Sequence, residues 1–329
     1  MKRAFYLLFW IMLVGRLPAM AQGLADLSDI RVRDPFILVD KESRTYYLYA
    51  QMQNRLNSTP GEVGVEVYQS KDLKKWSGPT PVFEAPEDFW GRKSVWAPEV
   101  HEYRGDYYLF VTFTSYDTLD YPGRSTAPQW KRGTQILRSK SPLGPFKTIS
   151  KGTQTPPEWM SLDGSLWVED EQPYMVFCHE WAQIKEGTID LVKLSGDLSE
   201  AISTPIQLFG TTDIPWAVSL RDRGSKHHGY VTDGNFVFKT KTGKLVMIWS
   251  TFGPSGYALI QAVSESGSIY GPWKHIKEPL FTENGGHGMI FKTLQGKLML
   301  TLHQPNGGKL ERARLFEIED LGDRIRLAR

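Results

Sequence analysis

The run Arg31-Val32-Arg33-Asp34-Pro35-Phe36-Ile37-Leu38-Val39 is followed by Asp40-Lys41-Glu42-Ser43-Arg44 and then Thr45-Tyr46-Tyr47-Leu48-Tyr49. It reads as an acid, an apolar strand, a polar turn and an aromatic strand, which is hairpin chemistry. The pattern returns four times. Trp96-Ala97-Pro98-Glu99-Val100-His101-Glu102-Tyr103 turns at Arg104-Gly105-Asp106 into Tyr107-Tyr108-Leu109-Phe110-Val111. Leu162-Asp163-Gly164-Ser165-Leu166-Trp167-Val168 turns near Asp170 into the run from Pro173 to Phe177. Thr232-Asp233-Gly234-Asn235-Phe236-Val237-Phe238 turns at Gly243 into the run from Lys244 to Trp249. Gly286-His287-Gly288-Met289-Ile290-Phe291 turns at Gly296 into the run from Lys297 to Leu302.

The turns fall near residues 41, 105, 170, 243 and 296, so the spacings are 64, 65, 73 and 53 residues. Further strand-like pieces lie between the hairpins, such as Gly64-Val65-Glu66-Val67-Tyr68 and Thr134-Gln135-Ile136-Leu137-Arg138. No long stretch has helical periodicity. Five units of this kind predict an all-β chain folded as a single five-bladed β-propeller. In such a ring the innermost strand of each blade starts at the same rim of the central channel. The residues opening the hairpins, Asp34, Glu99 or Trp96, Asp163, Asp233 and His287, are then expected to face one pocket.

The first 21 of the 329 residues read separately. Lys2 and Arg3 precede the apolar run from Ala4 to Val14, and Ala19-Met20-Ala21 supplies the small residues a signal peptidase reads. Eleven residues of helix rise only about 16 Å, short of a bilayer core of roughly 30 Å. A signal peptide over 1–21 and a mature domain over 22–329 are therefore expected, with the product secreted or periplasmic and free of the membrane. Removing Lys2, Arg3 and Arg16 takes the formal charge from +2 to −1, so no electrostatic nucleic-acid partner is expected. Cys178 is the only cysteine and lies in an apolar strand-like run, where a buried structural thiol is expected. Aromatic residues make up 12% of the chain. They suit both strands and clefts in which a flat ring stacks on a sugar.

Arg33-Asp34-Pro35, Trp96-Ala97-Pro98-Glu99, Asp163-Gly164-Ser165, the Asp233-Gly234 hairpin and Gly286-His287-Gly288 come in an order and spacing that resembles glycoside hydrolase family 43. The likeness covers nearly all of the mature chain. It implies a five-bladed propeller that cleaves glycosidic bonds with inversion. That chemistry needs a carboxylate base to activate water and a carboxylic acid to protonate the leaving oxygen, about 6.5–9.5 Å apart. By position, the resemblance implies that Asp34 is the base and Asp163 the aspartate that orients the acid and raises its pKa. It makes His287 the axial histidine that orients water or a bound cation. No cofactor is required; the family allows a structural calcium on the axis near His287, although the sequence holds no dedicated calcium loop.

The sequence departs from the family at the acid. Asp233 stands where the family has Glu, and its side chain is one methylene shorter. Glu180, in Cys178-His179-Glu180-Trp181, is the competing candidate. Trp96, Trp159 and Trp181 flank the acids as candidate stacking walls, Glu99 as an orienting or hydroxyl contact, and Asn235 as a hydroxyl contact. His227-His228 lack metal-ligand spacing. The expected activity is an exo-acting α-L-arabinofuranosidase on plant polysaccharide, with 116–129 and 221–229 as loops that close one end of the channel. β-Xylosidase, arabinanase, β-galactosidase and galactofuranosidase activities belong to the same family. A non-catalytic sugar-binding propeller is the reading from another class, and a serine hydrolase is excluded because no Gly-x-Ser-x-Gly elbow occurs.

Overall fold

The computed structural model describes residues 23–119 and 125–328. The expected signal peptide and mature start at Gln22 lie outside the described residues. The described chain forms five antiparallel sheets, each meandering from the innermost strand outwards. Blade one runs through Phe36–Asp40, Thr45–Gln51, Gly64–Ser70 and Lys75–Glu84, with Ala25–Asp26 added at its outer edge. The innermost strands of the other four blades are Ser94–Tyr103, Ser161–Glu169, Asp233–Lys239 and Gly286–Lys292. The propeller expectation is met. Among the described residues the only α-helix is the single turn Trp181–Ile184, and no helix is long and apolar enough to cross a membrane.

The core sits between neighbouring blades, because each sheet is apolar on both faces. Trp76 and Trp249 are fully buried. Trp249 of blade four meets Phe209 of blade three at 5.5 Å between ring centroids. Cys178 is buried as expected, and burial pushes its thiol pKa well above the usual range. Blades one and five meet at Glu311, which is 2% exposed and takes Arg31 at 3.0 Å and Arg33 at 2.7 Å. A buried carboxylate between two guanidiniums tolerates loss of a partner poorly, so this junction helps close the ring.

Each innermost strand has a left-handed residue at or near its start. The φ angles are 53° at Asp34, 43° at Ala97, 56° at Asp163, 57° at Gly234 and 50° at His287. In blades two to five a register shift lies just there, between Trp96 and Glu99, Leu162 and Ser165, Asp233 and Phe236, and Gly286 and Met289. An L-residue in this conformation costs roughly 1–2 kcal/mol, and Asp and His are among the residues that bear it best. The repeat therefore aligns Asp34, Ala97, Asp163, Gly234 and His287. This corrects the expected alignment. Blade two places Ala97, not Glu99, at the equivalent position, and blade four places Gly234, with Asp233 one residue earlier.

The backbone N–H at these positions is taken by the preceding blade. Asp34 donates to His303 Nδ1 at 3.2 Å, Asp163 to Thr112 Oγ1 at 2.9 Å and His287 to Ser250 Oγ at 2.8 Å. The Ala97 nitrogen lies 3.1 Å from the terminal amide of Gln51. These acceptors sit near the ends of the second strands. In blade three the matching position is Cys178, paired across from Leu162, and thiol sulfur is a weak acceptor. There Asp163 Oδ2 accepts the Gly234 N–H instead, at 2.9 Å.

Candidate active site

The left-handed residues and the residues just before them build a pocket of about 310 Å³ at the mouth of the channel. Asp34, Asp163 and His287 line it from the first set, and Arg33, Trp96, Leu162 and Asp233 from the second. Glu180 and Trp181 join them from the end of blade three's second strand. Of the expected site residues, the structure thus gathers Asp34, Asp163, Asp233, Glu180, His287, Trp96 and Trp181 around one space.

Asp34 is 5% exposed. Burial pushes its carboxyl up, but His287, Arg33 and His303 outweigh burial and hold its pKa well below the usual carboxylate range. His287 Nδ1 stands 3.2 Å from Asp34 Oδ1, and Arg33 Nε stands 3.6 Å from the same oxygen. Among the described residues that buried oxygen accepts no well-aligned hydrogen bond. A buried acceptor with no protein partner calls for an outside donor, so an ionised Asp34 is equipped to take a hydrogen bond from water.

Asp163 behaves oppositely. Burial, Asp233 and Asp34 push its pKa well above the ordinary value. Burial also raises Asp233, against the lowering effects of His287, Arg33 and a hydrogen bond from Tyr257. The Tyr257 hydroxyl donates to Asp233 Oδ2 at 2.9 Å. Two coupled carboxyls, both with raised pKa values, hold on to a proton between them. Burial keeps the neighbouring His287 pKa below its ordinary value.

Glu180 is ion-paired with Arg132. The guanidinium is 6% exposed, takes Thr114 Oγ1 at 2.9 Å through Nε and lies 3.9 Å from the Trp96 ring. The ion pair fixes the Glu180 side chain, with Trp96 beneath its partner.

Three expected contacts lie elsewhere. Glu99 is buried outside the pocket and faces His101 Nε2 at 2.9 Å, because the bulge after Trp96 sends it away from the mouth. Asn235 is fully buried and ties blade four to blade three, donating to the Val176 carbonyl at 3.0 Å. Trp159 stacks on His179 at 4.1 Å in a separate recess. Arg33, Arg132, Tyr257 and His303 were not foreseen. A signal existed for His303, since polar residues at the second-strand ends repeat as Gln51, Thr112, Ser250 and His303; the reach of Arg132 and Tyr257 had none. Of the two expected loops, residues 120–124 lie outside the described residues, but Thr126 Oγ1 meets His227 Nδ1 at 3.0 Å and Leu220 lines the pocket. Among the described residues, no group of three His, Cys, Asp or Glu side chains is placed to hold a metal ion.

A five-bladed propeller with one carboxyl held ionised and a raised carboxyl pair at the same axial pocket defines a glycoside hydrolase. The family comparison agrees: the chain belongs to glycosyl hydrolases family 43, whose model matches residues 27–319. It is 40% identical to a solved endo-arabinase from Bacteroides thetaiotaomicron, over 91% of this chain and 98% of that one, with a TM-score of 0.79. A solved alpha-L-arabinofuranosidase from Lactobacillus brevis is 16% identical, over 93% of this chain and 98% of that one, with a TM-score of 0.69, and supports the fold alone. Among curated relatives, an extracellular endo-alpha-(1->5)-L-arabinanase of Bacillus subtilis is 23% identical over 159 residues, 44% of this chain and 45% of the relative. The chain spans less than half the length of the curated relatives it matches.

Proposed function

We propose that this chain is an exported, inverting arabinan hydrolase that cuts within α-1,5-linked L-arabinan. The observation that carries the reading is the axial pocket, where Asp34, Asp163 and Asp233 meet in a chain 40% identical over nearly its whole length to an endo-arabinase. That likeness favours endo action over the exo action expected from the loops. Export rests on the N-terminal sequence and on the extracellular relative.

In this mechanism Asp34 accepts a proton from the attacking water through its unpartnered oxygen. Asp233 donates a proton to the leaving oxygen from the opposite side of the sugar. Asp163 keeps that proton in place by repelling the second charge. Inversion follows because water attacks directly, with no covalent sugar intermediate. Glu180, held in place by Arg132, accepts a substrate hydroxyl, and Trp96 and Trp181 supply ring surface. Calcium enters none of these steps.

The test is the product series released from linear α-1,5-arabinan. Endo action predicts a ladder of oligosaccharides before arabinose accumulates. Arabinose alone from the first minutes would restore the exo reading, and release from xylan or galactan but not arabinan would move the substrate. Because Asp233 replaces Glu, a sugar-binding propeller without hydrolysis is the second reading; retained arabinan binding with no product from any glycan would establish it.

A further inference from the structure

Blade three carries a second recess, of about 650 Å³, separated from the axial pocket by the one-turn helix Trp181–Ile184. Trp181 lines the axial pocket, whereas Gln183 and Ile184 line the recess. His179 and Glu180 are consecutive and serve the two spaces separately. Both spaces therefore open at the same end of the blade. An α-helix is about 10–12 Å across with its side chains, so a glycan bound at the axis has only one helix to cross.

The recess holds buried polar groups that the proposed mechanism does not use. Asp190, His179 and Gln183 are 3%, 8% and 3% exposed. Gln183 Oε1 accepts the Met160 N–H at 2.7 Å, which identifies that atom as the oxygen. His179 Nε2, 2.7 Å from the same oxygen, must then carry the ring proton. The other nitrogen, Nδ1, is left with a lone pair. Burial pushes the His179 pKa down, which keeps the ring neutral. Asp190 Oδ2 accepts a hydrogen bond from Thr188 at 2.5 Å, and the carboxyl has no cation partner among the described residues. The floor thus presents acceptors, while Lys185 and Gln207 bring donors to its edge and Trp159 brings ring surface.

Hydroxyl groups fit this arrangement because each can donate to the floor and accept from the edge. A neutral ring sugar adds C–H faces for Trp159. We propose that the recess is a distal sugar-binding site that holds a later unit of the same arabinan chain. This rests on the arabinan reading above.

The test uses full-length Asp34→Asn protein, so that ligands stay uncleaved, and measures binding of arabinobiose and arabinohexaose by calorimetry. The expected result is about tenfold tighter binding of the hexaose. Adding Asp190→Leu, which keeps the branched shape and removes the acceptors, should erase most of that gain while arabinobiose binding stays within twofold. Gln207→Ala, at an exposed position, should reduce the gain without risk to the core. Equal affinity for both lengths, or a full gain in the folded variants, overturns the proposal. If xylohexaose or galactohexaose binds and arabinohexaose does not, the arabinan reading fails, and the same length comparison with the sugar that binds decides the recess. No binding by any of these oligosaccharides overturns it outright.

Discussion

Asp163 Oδ2 accepts the backbone N–H of Gly234 at 2.9 Å. The bond joins blade three to blade four beside Asp233. It also substitutes for an acceptor that Cys178 cannot supply. The carboxyl proposed to modulate the acid is thereby part of the interlock between blades.

Gly234 follows as the first test. Its φ is +57°, and a Cβ there would meet His287 Cγ at 2.6 Å. Gly234→Ala should cost about 1–3 kcal/mol through the left-handed backbone and the clash. Displacing His287 also removes the ring nitrogen that stands 3.2 Å from Asp34 Oδ1 and helps to hold that carboxyl's pKa down. Activity should fall by more than tenfold even at temperatures where circular dichroism shows the variant folded. Full activity in the folded variant would show that the placement of His287 is not needed.

Tyr257 tests the electrostatics. Its hydroxyl stabilises ionised Asp233, so it lowers the Asp233 pKa against the effect of burial. Tyr257→Phe removes that bond and leaves the proton on Asp233 to higher pH. The basic limb of kcat/KM should therefore move up, while the acidic limb, set by Asp34, stays in place. The limb reports the Asp163–Asp233 pair rather than either acid alone. A shift to lower pH would contradict the assignment.

Asp190 gives a stability test away from catalysis. Burial raises its pKa from 3.8 to about 7. The folded protein then binds a proton that the unfolded chain has lost between these values, so this residue makes stability fall as pH rises from about 4 to 7, then level off. The loss is at most about 4 kcal/mol. Urea unfolding of Asp190→Asn should show a smaller fall across that range than the parent. Parallel curves would show that Asp190 is paired or hydrated in solution.

The five hairpins were legible because Gly and Asp turns separate short apolar runs. Asp34, Asp163 and His287 were legible because the left-handed position that opens each inner strand favours Asp, His and Gly. Glu99 misled because the bulge after Trp96 is a backbone feature, invisible in the residue pattern. Asn235 resembled a pocket residue but its amide is consumed by the Val176 carbonyl. The Arg132–Glu180 pair joins residues 48 apart in the chain; only the packing of blade two against blade three brings them together. Charge type alone left Glu180 and Asp233 equal as acids. The ion pair on one and the raised pKa of the other separate them.

The central claim is that Asp34 and Asp233 act as base and acid across one pocket while Glu180, ion-paired with Arg132, only binds substrate. The most direct measurement compares Asp34→Asn, Asp233→Asn and Glu180→Gln on arabinan and on an aryl arabinofuranoside with a good leaving group. Loss of the base should lower both activities by about 10²–10⁴-fold. Loss of the acid should do so on arabinan but spare the aryl substrate, whose leaving group needs no proton. The account predicts that selective loss for Asp233→Asn and a parallel loss on both substrates for Glu180→Gln. The selective loss in Glu180→Gln, with Asp233→Asn affecting both substrates alike, would contradict it.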